Sequence, residues 1–389
     1  MAVSALMETY RRLPVAFERG EGAWLVDTEG RRYLDALSGI AVCGLGHAHP
    51  RIAEALARQA STLIHTSNLY EVPLQTCLAG RLCGLADMDR AFFGNSGAEA
   101  NEAAIKLARL YGHKRDIEVP TIVVMDGAFH GRTMATLTAT GNRKVQAGFE
   151  PLVAGFVRAP YGDLDAVRAI GRNQDNVVAV LVEPIQGEGG IRMPGADYLP
   201  GLRELCDEHD WLLMLDEVQT GAGRTGKLFA YQHSGIVPDV VTIAKGLANG
   251  VPIGACLARG AAAEVLSPGT HGSTFGGNPL AAAAALAALD VIEEDRLLDR
   301  ATVLGQRIRD GLVAALAGDN RITEVRGLGL MIGIELADPA PDLVADALAA
   351  GLLINVTQDR VVRLLPPLIL TDAEADRIVE MLAELLLRR

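Results

Sequence analysis

Short apolar runs alternate with helical patterns through the middle of this 389-residue chain, and no other feature constrains the fold as strongly. Such alternation is typical of a parallel sheet whose strands are joined by crossover helices. The candidate strands are residues 90–95, 121–127, 177–184, 211–217 and 239–245, and candidate helices include 97–112 and 198–210. The pattern predicts an α/β domain with a mainly parallel central sheet flanked by helices.

The two ends of the chain have a different pattern. "AWLVDTEGRRYLDAL" predicts a hairpin that turns at residues 28–30. The C-terminal part predicts helices, a strand pair formed by "VRGLGLMIGIEL" and "VVRLLPPLIL", and a closing helix. We therefore expect a large domain over 50–278, a smaller α+β domain over 279–389, and an N-terminal segment, 1–49, that contributes to the small domain.

Charge and cysteine content exclude several classes of protein. The formal net charge of −12 argues against binding to nucleic acid. The five cysteines include no CxxC spacing, which favours reduced thiols in the cytoplasm over a disulfide framework or a metal site. His47, His49 and His130 fit no metal-ligand spacing, and we assign them no catalytic role. The apolar run "PLAAAAALAALDVI" meets Asp290 too early to span a bilayer and predicts a buried helix.

In "VTIAKGLANGVPIGAC", Lys245 directly follows an apolar strand and precedes three spaced glycines. A buried ammonium is costly unless it is paired or deprotonated, so the simple interpretation is a lysine that reaches water just past the strand. Asp216 ends the preceding strand, where it could merely cap a turn. Because the carboxyl ends of parallel strands meet at one edge of a sheet, Lys245 and Asp216 are expected to lie close together. Pyridoxal phosphate uses such a pair, a lysine for its aldehyde and an acid for its ring nitrogen.

Two glycine-containing segments could hold the phosphate of that cofactor. "FFGNSGAEANEAAIK" places Ser96, Gly97 and Ala98 at the start of a helix, where free amides and the helix dipole favour an anion. The same residues are also compatible with ordinary helix capping. "HGSTFGGNPL" offers the hydroxyls of Ser273 and Thr274, although it could be only a loop.

Two further segments follow strands and carry aromatic or charged side chains. "GAFHGRT" offers Phe129, whose ring could stack on a planar cofactor, and Arg132, whose fork suits a carboxylate. Taken separately, Phe129 is better explained as a core residue and Arg132 as one partner of a surface ion pair. "VEPIQGEGG" adds Glu183 and Glu188, whose roles stay open without known partners.

"MLDEVQTGAGRTGK", followed by "PDVVTIAKGLANGVPIGA", resembles the signature region of the class III (ω-) aminotransferases. These are pyridoxal phosphate enzymes of fold type I, with a large domain and a smaller α+β domain. The resemblance extends from "YLDALSGIAVCGLGHAHP" to "VVRLLPPLIL". It is greatest to members that transfer the δ-amino group of N2-acetylornithine to 2-oxoglutarate in arginine biosynthesis. It also implies activity on succinylornithine or succinyl-diaminopimelate.

The resemblance implies a role for each matching cofactor residue. Lys245 would form the Schiff base and shuttle the proton, and Asp216 would pair with the ring nitrogen. Gln219 would reach the phenolic oxygen, and Val218 and Phe129 would pack on the two ring faces. The phosphate would be bound by Ser96, Gly97 and Ala98, with Ser273 and Thr274 nearby. In this family Thr274 comes from the neighbouring subunit, which implies a homodimer with shared active sites.

The resemblance also implies how two different substrates are bound. Arg132 would hold the α-carboxylate of the amino donor, and Arg363 that of 2-oxoglutarate. Glu188 would neutralise Arg363 while the donor is bound and release it for the keto acid. A movable ion pair of this kind changes the charge of the site without changing its shape.

Several alternatives stay open at the level of sequence. Ornithine and 4-aminobutyrate aminotransferases belong to the same family, but ornithine enzymes carry a tyrosine in the segment that here reads "SGIAVCG". Ala98 and Cys43 depart from the residues that many relatives have. An aminomutase of the same fold would keep Lys245 and Asp216 but need no keto acid. A non-catalytic protein that binds pyridoxal phosphate is the remaining alternative.

Overall fold

A computed structural model describes residues 5–388 of the chain. In chain order its strands are β1 (Phe17–Glu21), β2 (Trp24–Asp27), β3 (Arg32–Asp35), β4 (Arg90–Gly94), β5 (Thr121–Met125), β6 (Phe156–Ala159), β7 (Val177–Val182), β8 (Leu212–Asp216), β9 (Val240–Ile243), β10 (Gly254–Ala258), β11 (Ile322–Leu328), β12 (Met331–Leu336), β13 (Leu352–Leu353), β14 (Asn355–Thr357) and β15 (Val361–Leu364). These strands form three sheets, one of seven strands and two of four.

The helices surround and connect these sheets. They are α1 (Ser38–Ala41), α2 (Pro50–Thr62), α3 (Pro73–Ala86), α4 (Gly97–His113), α5 (Met134–Ala139), α6 (Arg143–Gln146), α7 (Leu164–Asn173), α8 (Tyr198–His209), α9 (Pro279–Glu294), α10 (Leu297–Ala315), α11 (Leu343–Ala350) and α12 (Asp372–Leu387). Three 3₁₀ helices span Ala230–His233, Lys245–Ala248 and Gly260–Glu264. No helix within residues 5–388 combines the length and the apolar character needed to cross a bilayer.

The seven-stranded sheet has the order β4-β10-β9-β8-β7-β5-β6. Strands β5 to β9 pair in parallel, whereas β10 is antiparallel to both of its neighbours. Every residue of β7 and β8 is buried, as expected for strands covered on both faces. The prediction of a mainly parallel sheet and of its five strands is confirmed. Two strands, β6 and β10, were not predicted.

The C-terminal sheet has the order β11-β12-β15-β14 and is antiparallel throughout. The segment "VRGLGLMIGIEL", expected to be one strand of a pair, is itself the hairpin β11–β12, and β12 then pairs with β15. This correction has a physical reason, because Gly329 adopts φ +55° and lets the chain reverse there. The N-terminal hairpin turns between β2 and β3 as predicted.

The two largest of four apolar clusters occupy most of the interior. One core lies against the seven-stranded sheet, and the other joins the C-terminal sheet to N-terminal residues such as Leu34 and Ala36. Strand β13 pairs in parallel with β3, which ties the two chain ends together. Helix α9 contributes residues to both cores. The domain boundaries near residues 49 and 278 stay a prediction.

Candidate active site

A cavity of about 380 Å³ opens beside the carboxyl ends of β7, β8 and β9. Ten of the predicted site residues line it, namely Ser96, Gly97, Ala98, Phe129, Arg132, Glu188, Asp216, Val218, Gln219 and Lys245. Arg363 lies behind this lining in contact with Glu188, whereas Ser273 and Thr274 line a different cavity. The fold therefore brings most of the predicted residues to one place.

Lys245 does not end a strand as the sequence suggested. Strand β9 stops at Ile243, and Lys245 opens a 3₁₀ helix with φ +44°. This left-handed backbone is costly for a residue with a side chain. The chain leaves the sheet at this point. The side chain of Lys245 therefore lines the cavity, whereas a further strand residue would point to one face of the sheet.

The environment of Lys245 favours loss of its proton. Removal of water from around the amine, with the nearby Arg363 cation as a second cause, lowers the pKa of Lys245 to about 8 from its ordinary value of 10.5. A neutral amine is the nucleophile that a carbonyl requires and also a base for carbon acids. The lysine is therefore tuned for both tasks near neutral pH.

Asp216 is held by three donors at the end of β8. Its Oδ1 accepts a hydrogen bond from Val218 N at 3.0 Å, and its Oδ2 accepts from Asn101 Nδ2 and His130 Nδ1, each at 2.7 Å. Asn101 Oδ1 in turn accepts from the hydroxyl of Thr242, which pairs with Asp216 across the sheet. The carboxylate is thus buried, oriented and fully surrounded by donors.

His130 and Asn101 are functional-site residues that the sequence reasoning did not identify. His130 was assigned no catalytic role, and its contact with Asp216 makes it a positioning residue. Asn101 lies on α4, and the two residues are far from Asp216 in the chain. Neither has a spacing signal, because the contacts arise only when α4 and residues 129–131 pack over β8. The only sign of their role in the sequence was that Asn101 lies within "FFGNSGAEANEAAIK" and His130 within "GAFHGRT".

The N-terminus of α4 forms one wall of the cavity. Ser96 is its N-cap, and its Oγ accepts from Glu99 N at 3.2 Å. The amides of Gly97 and Ala98 belong to the first turn, where the helix offers no internal acceptor. A Cβ at Gly97 would lie 2.6 Å from Val218 Cγ1, so only glycine lets this turn approach the residue that packs beneath it. The turn suits an anion.

Phe129 and Arg132 also line the cavity. The Arg132 guanidinium is 5.5 Å from the centre of the Phe129 ring, and its side chain is exposed. Phe129 N donates to Glu183 Oε2 at 3.0 Å, and Gly187 N donates to Glu183 Oε1 at 3.2 Å. Burial raises the pKa of Glu183, which braces the two loops that carry Phe129 and Glu188.

Arg363 and Glu188 form an ion pair of 2.6 Å. Arg363 is completely buried, whereas the Glu188 side chain is 37% exposed. Arg363 Nε donates to Asn355 Oδ1 at 3.0 Å, and Nη1 also reaches Gln219 Oε1 at 3.3 Å. Nη2 is buried with no hydrogen-bond partner among the described residues. This free donor fits a second carboxylate oxygen supplied by a ligand.

Ser273 and Thr274 lie outside the cavity just described. They line a second, more open cavity of about 730 Å³, and Thr274 is exposed. Ser273 Oγ accepts from Asn95 Nδ2 at 3.2 Å, and Asn95 itself lines the first cavity. The two hydroxyl residues are therefore next to the site but not in it within one chain.

This arrangement of lysine, aspartate and anion-binding helix belongs to a known class of enzyme. The family model for class III aminotransferases matches residues 6–386, and the chain belongs to this family. It is 60% identical to acetylornithine aminotransferase of Nitrosomonas europaea over 377 residues, which cover 97% of this chain and 96% of that one.

Two solved structures are also similar. The ornithine aminotransferase of Toxoplasma gondii ME49 superposes with a TM-score of 0.95 at 36% identity, covering 99% of this chain and 93% of that one. The acetylornithine aminotransferase of Elizabethkingia anophelis gives a TM-score of 0.88 at 36% identity, covering 98% and 96%. The chain is therefore a pyridoxal phosphate-dependent aminotransferase of fold type I, which acts on a small amino donor and a keto acid.

The residues present fit that cofactor. Lys245 supplies an amine with a lowered pKa. Asp216 is an oriented carboxylate suited to a protonated ring nitrogen, and the first turn of α4 offers unpaired amides to a phosphate. Phe129 and Val218 are apolar side chains suited to the two ring faces. We therefore assign the cavity to pyridoxal phosphate.

Proposed function

We propose that this enzyme transfers the δ-amino group of N2-acetylornithine to 2-oxoglutarate, giving N-acetylglutamate 5-semialdehyde and glutamate, a step of arginine biosynthesis. The high identity to a named acetylornithine aminotransferase supports the choice of donor. The observation that carries the proposal is the Glu188–Arg363 pair, because its arginine is buried and its glutamate is partly exposed beside one cavity. Related succinylated donors are expected to react as well.

The two substrates require different net charges at the same position, a positive charge for the keto acid and a neutral pair for the amino donor. The keto acid brings a second carboxylate, for which a buried free arginine is the natural partner. The acylated amino donor has no such group, and an unpaired buried cation beside it would be costly. Glu188 is exposed enough to swing away, whereas Arg363 is fixed by Asn355 and Gln219. The pair therefore suits an enzyme that alternates between these substrates.

Each half of the reaction needs a proton moved at the substrate carbon. When bound, the cofactor supplies an aldehyde for the amine and a ring that accepts the electron pair released at that carbon. The amine of Lys245 takes and returns the proton, because its lowered pKa lets it work as base and acid. With the cofactor bound, Asp216 would hold the ring nitrogen, Arg132 would orient the donor through its α-carboxylate, and Gln219 would reach the phenolic oxygen.

We propose a cytoplasmic homodimer in which Thr274, with Ser273 beside it, completes the phosphate site of the neighbouring subunit. The support is the position of Thr274, exposed on a surface that also presents Leu69, Tyr70 and Phe275, which are 87%, 70% and 60% exposed. Such a surface is typical of an interface. We also propose that 50–278 and 279–389, with 1–49 on the latter, behave as the large and small domains.

The donor is tested by the first half-reaction of the purified holoenzyme, without any keto acid. N2-acetylornithine, N2-succinylornithine, ornithine and 4-aminobutyrate are added separately, and the visible absorbance of the cofactor is followed. We expect N2-acetylornithine to convert the enzyme fastest and 2-oxoglutarate to reverse the change. Faster conversion by ornithine or 4-aminobutyrate would keep the reaction type but refute the proposed donor.

Ornithine is the second candidate donor, and one observation favours it. The Toxoplasma gondii ornithine aminotransferase has a fold almost identical to this one. Against it, the cavity is lined by Val42, and residues 38–44 include no hydroxyphenyl group to hold a free α-amino acid. The half-reaction above separates the two donors directly.

A further inference from the structure

The tip of the loop that carries Glu188 is rich in glycine, yet its backbone is firmly held. Gln358 Nε2 donates to Glu188 O at 2.8 Å. Arg326 Nη2 donates to Gly190 O at 2.7 Å, and Arg326 Nε donates to Ile191 O at 2.9 Å. All three bonds come from side chains of the C-terminal sheet or its connecting turn. The loop is therefore anchored to the sheet that also carries Arg363.

The two arginines lie in one row across that sheet. Arg326 on β11 is paired with Gly333 on β12, and Gly333 is paired with Arg363 on β15. Residues paired across neighbouring strands project from the same face, so both arginines reach toward the loop. A Cβ at Gly333 would lie 2.9 Å from Ile191 Cβ, so the glycine leaves the space that Ile191 occupies between them.

The charges of the two arginines are balanced differently. Arg326 Nη1 lies 2.5 Å from Glu335 Oε2 and 2.6 Å from Glu324 Oε2, and its side chain is only 12% exposed. Its guanidinium is thus neutralised by carboxylates of its own sheet. Arg363 pairs instead with Glu188, which belongs to the loop. The backbone contact made by Arg326 is independent of whether Glu188 is paired.

We propose that Arg326 is a positioning residue that holds the backbone of the Glu188 loop in register with Arg363, so that substrate exchange needs only a rotation of the Glu188 side chain. The inference rests on the proposed function, since it assumes that both substrates use the cavity in turn. It predicts that loosening the anchor weakens the Glu188–Arg363 pair without removing either charge. Selectivity between the two substrates then changes while the chemistry does not.

Arg326→Gln in the holoenzyme tests this directly. We expect kcat/KM for N2-acetylornithine in the first half-reaction to fall about fivefold, which corresponds to the loss of about one net hydrogen bond. The value for 2-oxoglutarate in the second half-reaction should not fall and should rise by up to about fivefold, because Arg363 is intact and is held less tightly by Glu188. Arg309→Gln is the matched control, since Arg309 Nη1 donates to Gly329 O at 3.1 Å in the β11–β12 turn, away from the loop.

A binding measurement makes the test independent of the donor. Glutarate, a five-carbon dicarboxylate, is titrated into the resting holoenzyme while the visible absorbance of the cofactor is followed. We expect it to bind about fivefold more tightly to Arg326→Gln than to wild type or Arg309→Gln, because Arg363 is freed more easily. Equal losses in both half-reactions together with unchanged glutarate binding would overturn the proposal and leave Arg326 a purely structural residue.

Two further outcomes are distinguishable. Wild type that does not react with N2-acetylornithine would refute the proposed donor, and the glutarate comparison would still decide the role of Arg326. If Arg326→Gln does not fold, Gln358→Ala removes the bond to Glu188 O without changing any charge. It should shift glutarate binding in the same direction by about twofold. No shift in a folded Gln358→Ala variant would count against the anchor.

Discussion

Asp216 and Glu188 both pair with an ionisable side chain in the same cavity, but the two pairs are built differently. The Asp216–His130 pair is buried on both sides, with side chains 3% and 0% exposed, and two further donors hold the carboxylate. In the Glu188–Arg363 pair the arginine is buried and the glutamate is 37% exposed. The charge at the cofactor ring must stay constant, whereas the charge at the substrate must change. Because Glu188 is partly exposed to solvent, separating the pair costs less free energy than it would for a fully buried carboxylate.

The largest expected effect is that of replacing Lys245, which lines the same cavity as Asp216. Lys245→Ala removes the group that moves the proton, so turnover should fall at least about 1,000-fold with either substrate pair. Steady-state production of glutamate from 2-oxoglutarate measures it. Lys227→Ala, a change at an exposed lysine, is the control and should retain wild-type turnover. Full activity of a folded Lys245→Ala variant would exclude the proposed mechanism.

Asp216→Asn should be the next largest change. It keeps the shape of the side chain but removes the charge that faces the ring nitrogen, so both half-reactions should slow by the same factor, about 100-fold. Rapid-mixing absorbance with N2-acetylornithine and then with 2-oxoglutarate provides the two rates. Asp210→Asn, on an exposed aspartate, serves as control. Unequal slowing would mean that Asp216 also discriminates between substrates.

The pH dependence of the unfolding free energy tests the environment of Lys245 without a measurement of catalysis. The folded-state pKa of Lys245, about 8, lies below its ordinary value of 10.5, so the unfolded chain binds more protons between these values. Unfolding free energy therefore rises with pH across this window. The full shift corresponds to about 3 kcal/mol, and solvent in the cavity reduces it, so we expect about 2 kcal/mol. Denaturant titrations of cofactor-free wild type and Lys245→Met measure it, and identical slopes would contradict it.

Of these three substitutions in the cavity, Glu188→Gln should have the smallest effect and the most selective one. Losing the movable charge leaves Arg363 unpaired while the donor is bound, so the first half-reaction should slow about tenfold. The second half-reaction should not slow, because the keto acid carboxylate itself pairs with Arg363 and no longer competes with Glu188. The ratio of the two rates is the measurement. An equal fall in the rates of both half-reactions would mean that Glu188 is needed with both substrates. The contrast with Asp216 would then be wrong.

Much of the fold followed from periodicity alone. Strands such as β7 and β8 are continuous apolar runs because they are buried on both faces, and their carboxyl ends located Asp216 and the neighbourhood of Lys245. Strand β10 was not predicted because it follows a glycine-rich turn and is antiparallel to β9, so no crossover helix precedes it. The left-handed backbone of Lys245 could not be predicted, since a lysine carries no signal for it.

The candidate site also contains residues that the sequence predicted and residues that it did not. Motif residues such as Gly97, Phe129 and Glu188 could be named because each follows a strand or opens a helix. The side chains that hold them could not. His130, Asn101 and Arg326 act through contacts between segments far apart in the chain, and their identities are compatible with many structural positions. Such contacts depend on packing angles and sheet register, which short sequence patterns do not encode.

Helix α9 determines how the two cores unfold relative to each other. Ala281 and Ala285 pack in the core of the seven-stranded sheet, while Ala288 and Ile292 pack in the core of the C-terminal sheet. Neither core can release this helix without exposing the other to water. Heat should therefore melt the chain in a single cooperative transition, and a fragment cut on either side of α9 should not remain folded by itself.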